Sequence, residues 1–165
     1  MQIRPERPCD TDTIRHLVTA AFAGASHASG TEAVIVDGLR EAGALTVSLV
    51  AEQGGEIVGH VAFSPVLIDG RPGNWFGLGP VAVRPNRQGE GVGSALIRAG
   101  LAQLHDLGGQ GCVVLGDPAY YRRFGFASHP RLWLGGVPPE YFQQLRFGAQ
   151  QAAGQVTYHP AFSTG

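Results

Sequence analysis

The sequence contains no lysine, because all 12 residues counted as Lys or Arg are arginine. A P-loop nucleotide-binding site needs a lysine against the phosphates, and a Schiff-base enzyme needs the amine of a lysine side chain. Both classes are therefore excluded. Any phosphate group that binds this chain must be held by backbone amides or by arginine.

Charge and long apolar runs are also scarce. The formal net charge is -1 and the arginines are scattered, whereas nucleic-acid-binding domains carry a basic patch or stripe. No apolar run approaches the roughly 18 residues that cross a bilayer, and residues 1–10 lack the apolar segment of a signal peptide. We expect a cytoplasmic protein that binds neither nucleic acid nor membrane.

Cysteine is nearly absent as well. The two cysteines, Cys9 and Cys112, do not have the spacing of a metal site. Cys112 lies in an apolar run typical of a buried strand. We expect reduced thiols at both positions and no bound metal.

The residues that are present predict one α/β domain over residues 1–165. Apolar residues recur at helical spacing from Ile14 to Phe22, and two β-rich runs flank Gly54-Gly55, which is a hairpin signal. The further predicted helices are Thr31–Glu41, Ser94–Leu104, Pro118–Phe124 and Pro139–Phe147. The predicted strands are Gln2–Arg7, Thr46–Gln53, Glu56–Phe63, Trp75–Val83, Cys112–Leu115 and Gln155–Phe162.

A glycine-rich turn between a strand and a helix is the main functional signal. Glycines there let the backbone approach an anion, and the first amides of the helix favour a phosphate. A Rossmann site fits poorly, because Ser94 stands where the third glycine belongs and no acidic residue follows at the ribose distance. The remaining interpretations are a pyrophosphate-binding arm of the form Gln-x-x-Gly-x-Gly, given by Gln88, Gly91 and Gly93, or a turn that binds nothing.

Two stretches resemble the GNAT superfamily of N-acetyltransferases. Residues 88–96 resemble its acyl-CoA pyrophosphate motif, and residues 78–83 resemble the strand before that motif. Residues 114–126 are similar to the second GNAT signature, in which a tyrosine, here Tyr121, lies four residues before Gly-Phe. The hairpin at residues 58–61 and the end of the chain at residues 154–158 resemble a small bacterial branch of the family. Asp117 departs from the asparagine of many members.

The resemblance implies a fold and a cofactor. The fold is α/β (α+β), with a mixed, mostly antiparallel sheet that splays centrally between strands 4 and 5 and is flanked by helices. The cofactor is acetyl-CoA, with no metal. The residues expected to bind it are Val81, Ala82, Val83, Arg87, Gln88, Gly89, Glu90, Gly91, Val92, Gly93, Ser94, Gly116, Pro118 and Tyr121.

The resemblance also implies catalytic roles. The backbone N–H near Val81 would stabilise the oxyanion of a tetrahedral intermediate, and Tyr121 would protonate the departing CoA thiolate. From the residues alone, Tyr121 can equally be a core aromatic beside Phe124 and Phe126.

The base and the substrate contacts are less defined. Glu32 and His60 are the candidates for substrate binding. Glu32, His27, His60 and Glu140 are all candidates for the base, and a water chain is the alternative. Glu32 also follows a helix cap, where the helix dipole alone favours an acidic residue.

Three functions remain open at this level. The first is an N-acetyltransferase that acts on a primary amine of a small molecule or a protein. The second is a catalytically silent acyl-CoA-binding sensor, and the third is a nucleotide-dependent enzyme that uses the same turn. A homodimer is expected from the family resemblance only.

Overall fold

The computed structural model describes residues 1–23 and 30–163. The helices are α1 (Thr11–Phe22), α2 (Glu32–Glu41), α3 (Val92–Asp106) and α4 (Pro118–Tyr121). The strands are β1 (Gln2–Pro5), β2 (Val47–Gln53), β3 (Glu56–Ile68), β4 (Arg71–Val83), β5 (Gly111–Leu115), β6 (Leu132–Trp133), β7 (Phe142–Arg146) and β8 (Gly154–Thr157). Among the helices of these residues, none combines the length and hydropathy required to span a membrane.

The strands form one mixed sheet in the order β1-β2-β3-β4-β5-β7. Its neighbours are antiparallel except for β4 and β5, which are parallel. The short strands β6 and β8 pair with each other, and β8 also pairs with the end of β3. The predicted mostly antiparallel sheet flanked by helices is confirmed.

The sheet opens between β4 and β5. The two strands pair only where Trp75–Gly77 meets Gly111–Val113, although β4 continues to Val83. The register of β4 against β3 shifts by one residue between the pairs Val61↔Val81 and Phe63↔Leu78. An extra residue in one strand is a β-bulge, which bends that strand. The predicted splay between strands 4 and 5 therefore begins at a bulge in β4.

Helices cover both faces of the sheet. Helix α3 packs on one face, where Leu96, Ile97 and Leu104 join the largest apolar cluster. Helix α1 packs on the other face through Ile14, Leu17 and Val18. Alternate residues of the central strands serve the two clusters, since successive side chains of a strand point to opposite faces.

The predicted helix over Pro139–Phe147 is wrong. A short 3-10 turn spans Pro139–Tyr141, and the rest is β7, which pairs along the whole of β5. Without β7, the backbone groups on that edge of β5 would have no strand partner, and this long-range pairing outweighs weak local helix propensity. The predicted closing strand Gln155–Phe162 is also too long, because β8 ends at Thr157 and a 3-10 turn follows from Pro160.

The contact between α3 and the sheet predicts a large effect of one methyl group. A Cβ on Gly100 would overlap the ring of the fully buried Phe63. Overpacking a core costs about 1–3 kcal/mol, so we expect Gly100→Ala to lower Tm even though alanine is the better helix former. Gly148→Ala is the matched control, because its Cβ meets no atom within 4 Å. Calorimetry that finds Gly100→Ala as stable as the control would contradict this packing.

Candidate active site

The glycine-rich turn connects β4 to α3 and leaves the start of that helix open. Gly89 and Gly91 have φ angles of 82° and 85°, a left-handed conformation that glycine adopts without strain. Gly91 is the N-cap residue of α3, and no side chain of the described residues caps the helix. The first amides of α3 therefore point outward at the positive end of the helix dipole, where a phosphate group is favoured.

A cavity of about 240 Å³ lies against this turn. We call it the turn cavity; its lining residues are Val83, Arg87, Gln88, Gly89, Gly91, Val92, Gly93, Ser94, Tyr120 and Arg123. All of them except Tyr120 and Arg123 are residues that the sequence predicts to bind the cofactor. Glu90 is not part of the lining; it is exposed and lies 3.5 Å from Arg87 Nε.

Tyr120 and Arg123 also line the turn cavity, and sequence reasoning missed Arg123 as a site residue. The Tyr120 hydroxyl lies 3.2 Å from Ser94 Oγ, and the Arg123 guanidinium lies 4.2 Å from the centre of the Tyr120 ring. Arg123 Nε donates a hydrogen bond of 3.0 Å to the Tyr120 carbonyl oxygen. The sequence shows two adjacent arginines after the tyrosines, but only the folded turn determines that Arg123 lines the cavity with Arg87.

A second cavity of about 480 Å³ lies where β4 and β5 diverge. We call it the splay cavity; its lining residues are Phe22, Glu32, Ile35, Leu78, Gly79, Pro80, Val81, Leu115, Tyr121, Leu134, Tyr158 and Phe162. It brings together the predicted residues Val81, Tyr121 and Glu32. The side chains around it are mostly apolar, so a reacting group inside it is largely removed from water.

The end of β4 runs from one cavity to the other. Val83 lines the turn cavity and Val81 lines the splay cavity. Similarly, Tyr120 lines the turn cavity and Tyr121 lines the splay cavity. Two neighbouring stretches of backbone therefore connect an anion-binding turn to an apolar chamber.

The hydrogen-bonding pattern of β4 leaves its edge open at Val81 and Val83. The Arg84 amide donates to the Val58 carbonyl oxygen at 2.9 Å, so the backbone of residue 84 points toward β3. The direction alternates along an antiparallel strand, so the backbone groups of Val81 and Val83 point away from β3. Gln88 Nε2 donates to the Val83 carbonyl oxygen at 3.2 Å, which agrees with this direction.

Tyr121 combines packing with access to the splay cavity. Its ring is 6.0 Å from that of Phe126 and lies against Gly116, where a Cβ would overlap it. Burial raises the pKa of Tyr121 to about 12, with smaller contributions from Tyr120 and Cys112. The phenol is therefore protonated at neutral pH and can donate a proton. Tyr121 therefore packs against core aromatic residues and also lines the splay cavity, so its place in the core does not exclude a catalytic role.

Tyr158 is a further site residue that sequence reasoning missed. It follows β8, lines the splay cavity, and lies so close to Gly77 that a Cβ there would be 2.5 Å from the ring. Burial raises the pKa of its hydroxyl, and Cys112 and Tyr121 raise it further. Its place in the sequence, about 80 residues beyond the glycine that it contacts, gives no local signal of this role.

Glu32 is the predicted base that reaches the splay cavity. It is the first residue of α2 and is partly buried in the cavity wall. Glu140 lies in the exposed 3-10 turn before β7 and is not part of this lining. His27 lies outside the described residues. Within the described part of the chain, no group of three or more histidine, cysteine, aspartate or glutamate side chains is arranged to hold a metal ion.

Known proteins are similar to this chain in sequence and in fold. The acetyltransferase (GNAT) domain family matches residues 45–128. YhbS of Escherichia coli strain K12, an uncharacterized N-acetyltransferase, is 39% identical over 170 residues, which cover 99% of each chain. The chain belongs to the GNAT acetyltransferase family.

Two solved structures are similar to this acetyltransferase over nearly its whole length. A GNAT acetyltransferase of Brucella melitensis in complex with acetyl-CoA is 53% identical, with a TM-score of 0.88 over 98% of this chain and 97% of the other. YhbS of Escherichia coli in complex with CoA is 37% identical, with a TM-score of 0.90 over 98% and 91%. The resemblance seen in the sequence is confirmed.

Four of the predicted cofactor ligands line neither cavity of this acetyltransferase: Glu90, described above, Ala82, Gly116 and Pro118. The backbone of Ala82 is paired with His60 in β3, and its side chain is buried under α1, so Ala82 does not present its backbone groups at the open edge. The Gly116 amide donates to the Tyr141 carbonyl oxygen at 2.9 Å, and its carbonyl accepts from Gln143. Pro118 begins α4, which Asp117 caps by accepting a hydrogen bond from the Ala119 amide. Gly116 therefore packs against the Tyr121 ring, and Pro118 begins the short helix that ends at Tyr121.

His60, predicted as a candidate for substrate binding, is fully buried and lines neither the turn cavity nor the splay cavity. Its Nε2 lies 2.8 Å from Ser48 Oγ and 3.8 Å from the Glu6 carboxylate. Arg40 forms an ion pair with the same carboxylate at 2.8 Å. Burial lowers the pKa of His60, although Glu6 opposes this shift. The imidazole is therefore neutral at pH 7 and is enclosed away from the splay cavity.

This environment predicts a pH dependence of stability. The unfolded chain binds a proton at His60 near the ordinary pKa of 6.5, whereas the folded protein binds it only at lower pH. The free energy of unfolding should therefore fall by about 1 kcal/mol between about pH 7.5 and pH 5.5. We expect His60→Gln to flatten this dependence in urea titrations, and the exposed control His105→Gln to preserve it. Equal slopes in both variants would contradict the assignment.

Proposed function

We propose that this acetyltransferase binds acetyl-CoA across the turn and splay cavities and transfers the acetyl group directly to a primary amine. The main observation behind the proposal is the open edge of β4, where Val83 lines the turn cavity and Val81 lines the splay cavity together with Tyr121. The related structures with acetyl-CoA and with CoA support it, since both chains have this fold.

Each part of the cofactor has a matching surface. The pyrophosphate would accept hydrogen bonds from the first amides of α3, with Arg87 and Arg123 supplying positive charge. The pantetheine arm would pair with the backbone of Val81 and Val83 in the manner of an added strand. The thioester would then lie in the splay cavity, because that is the cavity that Val81 lines.

The chemistry requires one bond to form and one to break. The neutral amine attacks the thioester carbonyl, and the Val81 N–H donates a hydrogen bond to the oxyanion that develops. The intermediate then collapses, the carbon–sulfur bond breaks, and the CoA thiolate takes the phenolic proton of Tyr121. The attacking nitrogen gives up its extra proton, which returns to the Tyr121 phenolate directly or through water. The apolar surroundings disfavour both a separated thiolate and the Tyr121 phenolate, so the two proton transfers should be closely coupled.

The Glu32 carboxylate provides the negative charge that binds the ammonium group of the acceptor. An amine reaches the enzyme mainly as an ammonium ion, and among the residues that line the splay cavity Glu32 is the carboxylate. We assign it to binding the ammonium group and receiving its proton, directly or through water. Its position in the first turn of α2 is one where the helix dipole favours a negatively charged side chain.

The cofactor assignment is tested with adjacent arginines. Arg123 lines the turn cavity, whereas Arg122 is exposed and is not part of its lining. Loss of a charged hydrogen bond to phosphate costs about 1.5–3 kcal/mol, so we expect Arg123→Ala to weaken acetyl-CoA binding about tenfold or more in calorimetry. Arg122→Ala should bind as the parent protein does. NAD or ATP binding more tightly than acetyl-CoA would instead favour a nucleotide-dependent enzyme.

The catalytic assignment is tested at Tyr121. We expect Tyr121→Phe to reduce kcat for the release of the CoA thiol about 100-fold while the affinity for acetyl-CoA changes little, because the ring remains. Tyr141→Phe is the control, since its side chain is exposed and lines neither cavity. Firm acetyl-CoA binding with no thiol release for any primary amine would favour the catalytically silent sensor.

A further inference from the structure

A third cavity lies beside the splay cavity. This side cavity has a volume of about 630 Å³ and is lined by residues between Ser128 and Phe142. Its apolar wall consists of Leu132, Trp133, Leu134, Val137 and Phe142. The volume lies in the range of about 300–1,000 Å³ that is typical of small-molecule sites. Neither the cofactor nor the proposed proton transfers use this space.

Leu134 lines both the side cavity and the splay cavity, so the two cavities are neighbours. It follows β6 and begins the turn through Gly135 and Gly136, where Gly136 has a φ angle of 80°. Glu32 lines the splay cavity as well. The side cavity is therefore the neighbouring space for the body of an acceptor whose amine lies beside Glu32.

The chemistry of the lining restricts the acceptor class. His129 is the ionisable side chain among the residues that line the side cavity, and its Nδ1 accepts a hydrogen bond from the Arg131 amide at 3.1 Å. The lining includes no aspartate or glutamate. A second ammonium group, as in a polyamine or an aminoglycoside, would lose its hydration there without gaining a carboxylate.

The wall instead suits an apolar body. Trp133 is 48% exposed although it is a large aromatic residue, so one side of its ring is available to a ligand. Aromatic side chains bind flat apolar groups through burial of area and favourable ring geometry. Leu132 and Phe142 are nearly fully buried and line the same cavity as Trp133.

We propose that the side cavity binds the body of the acceptor, so that the preferred substrates are primary monoamines attached to an aromatic or branched aliphatic group. The proposal rests on the proposed function, because it places the amine of the same molecule beside the acetyl thioester. Glu32 selects the single ammonium group, and the side cavity selects the uncharged remainder.

The first experiment compares three amines of different chemistry. With acetyl-CoA saturating, kcat/KM is measured from CoA thiol release for 2-phenylethylamine, ethanolamine and spermidine. We expect 2-phenylethylamine to exceed ethanolamine roughly 30-fold, the gain expected for burying a phenyl group. Spermidine should fall below 2-phenylethylamine as well. An equal or reversed order would overturn the proposal.

The second experiment locates the preference at Trp133. We expect Trp133→Ala to reduce the ratio of kcat/KM for 2-phenylethylamine over ethanolamine about tenfold, mainly through KM. Leu107→Ala removes a similarly exposed apolar side chain at the far end of α3 and should preserve the ratio. A ratio unchanged in Trp133→Ala would overturn the assignment of the cavity.

A binding measurement separates this proposal from the proposed function. Calorimetry with the CoA-loaded protein gives Kd for 2-phenylethylamine without requiring turnover. Binding that Trp133→Ala weakens, with no thiol release, supports the side cavity and contradicts the acetyltransfer chemistry. Turnover of ethanolamine without measurable binding of 2-phenylethylamine supports the chemistry and overturns the side cavity.

Discussion

The open backbone edge of β4 is the constraint on which the site depends. The bulge in β4 ends its pairing with β5 after Gly77, so that Val81 and Val83 direct their backbone groups toward space where a neighbouring strand would normally lie. Unpaired backbone groups in a partly buried position are unfavourable unless a partner arrives. The edge is therefore preorganised for an extended ligand with amide groups, and a pantetheine arm has that chemistry.

The absence of lysine shapes the electrostatics of this site. Arginine is charged at any physiological pH and presents a planar donor surface that can also stack on an aromatic ring. Arg123 uses both properties, since it lies over Tyr120 while lining the turn cavity. The turn therefore combines neutral backbone donors with fixed guanidinium charge. The apolar surroundings of Tyr121, by contrast, raise its pKa and keep its phenol protonated.

Local signals in the sequence predicted the elements that are determined locally. The glycine turn, α3, the hairpin of β2 and β3, and the place of Tyr121 all follow from short patterns. The features that local patterns could not predict involve long-range pairing or burial. Strand β7 forms because β5 offers it an edge, and His60 is enclosed because Ser48 and Glu6 lie on neighbouring strands. Ala82 was grouped with Val81 and Val83, but the alternation of the ladder turns its backbone the other way.

The most direct test of this account is amide hydrogen exchange at the end of β4, resolved by NMR with and without acetyl-CoA. Binding along the open edge should slow exchange at Val81 and Val83 strongly, because the ligand would supply the missing partners. The Ala82 amide, already paired with β3, should change much less. Saturating acetyl-CoA that leaves Val81 and Val83 exchanging as in the free protein would contradict the account.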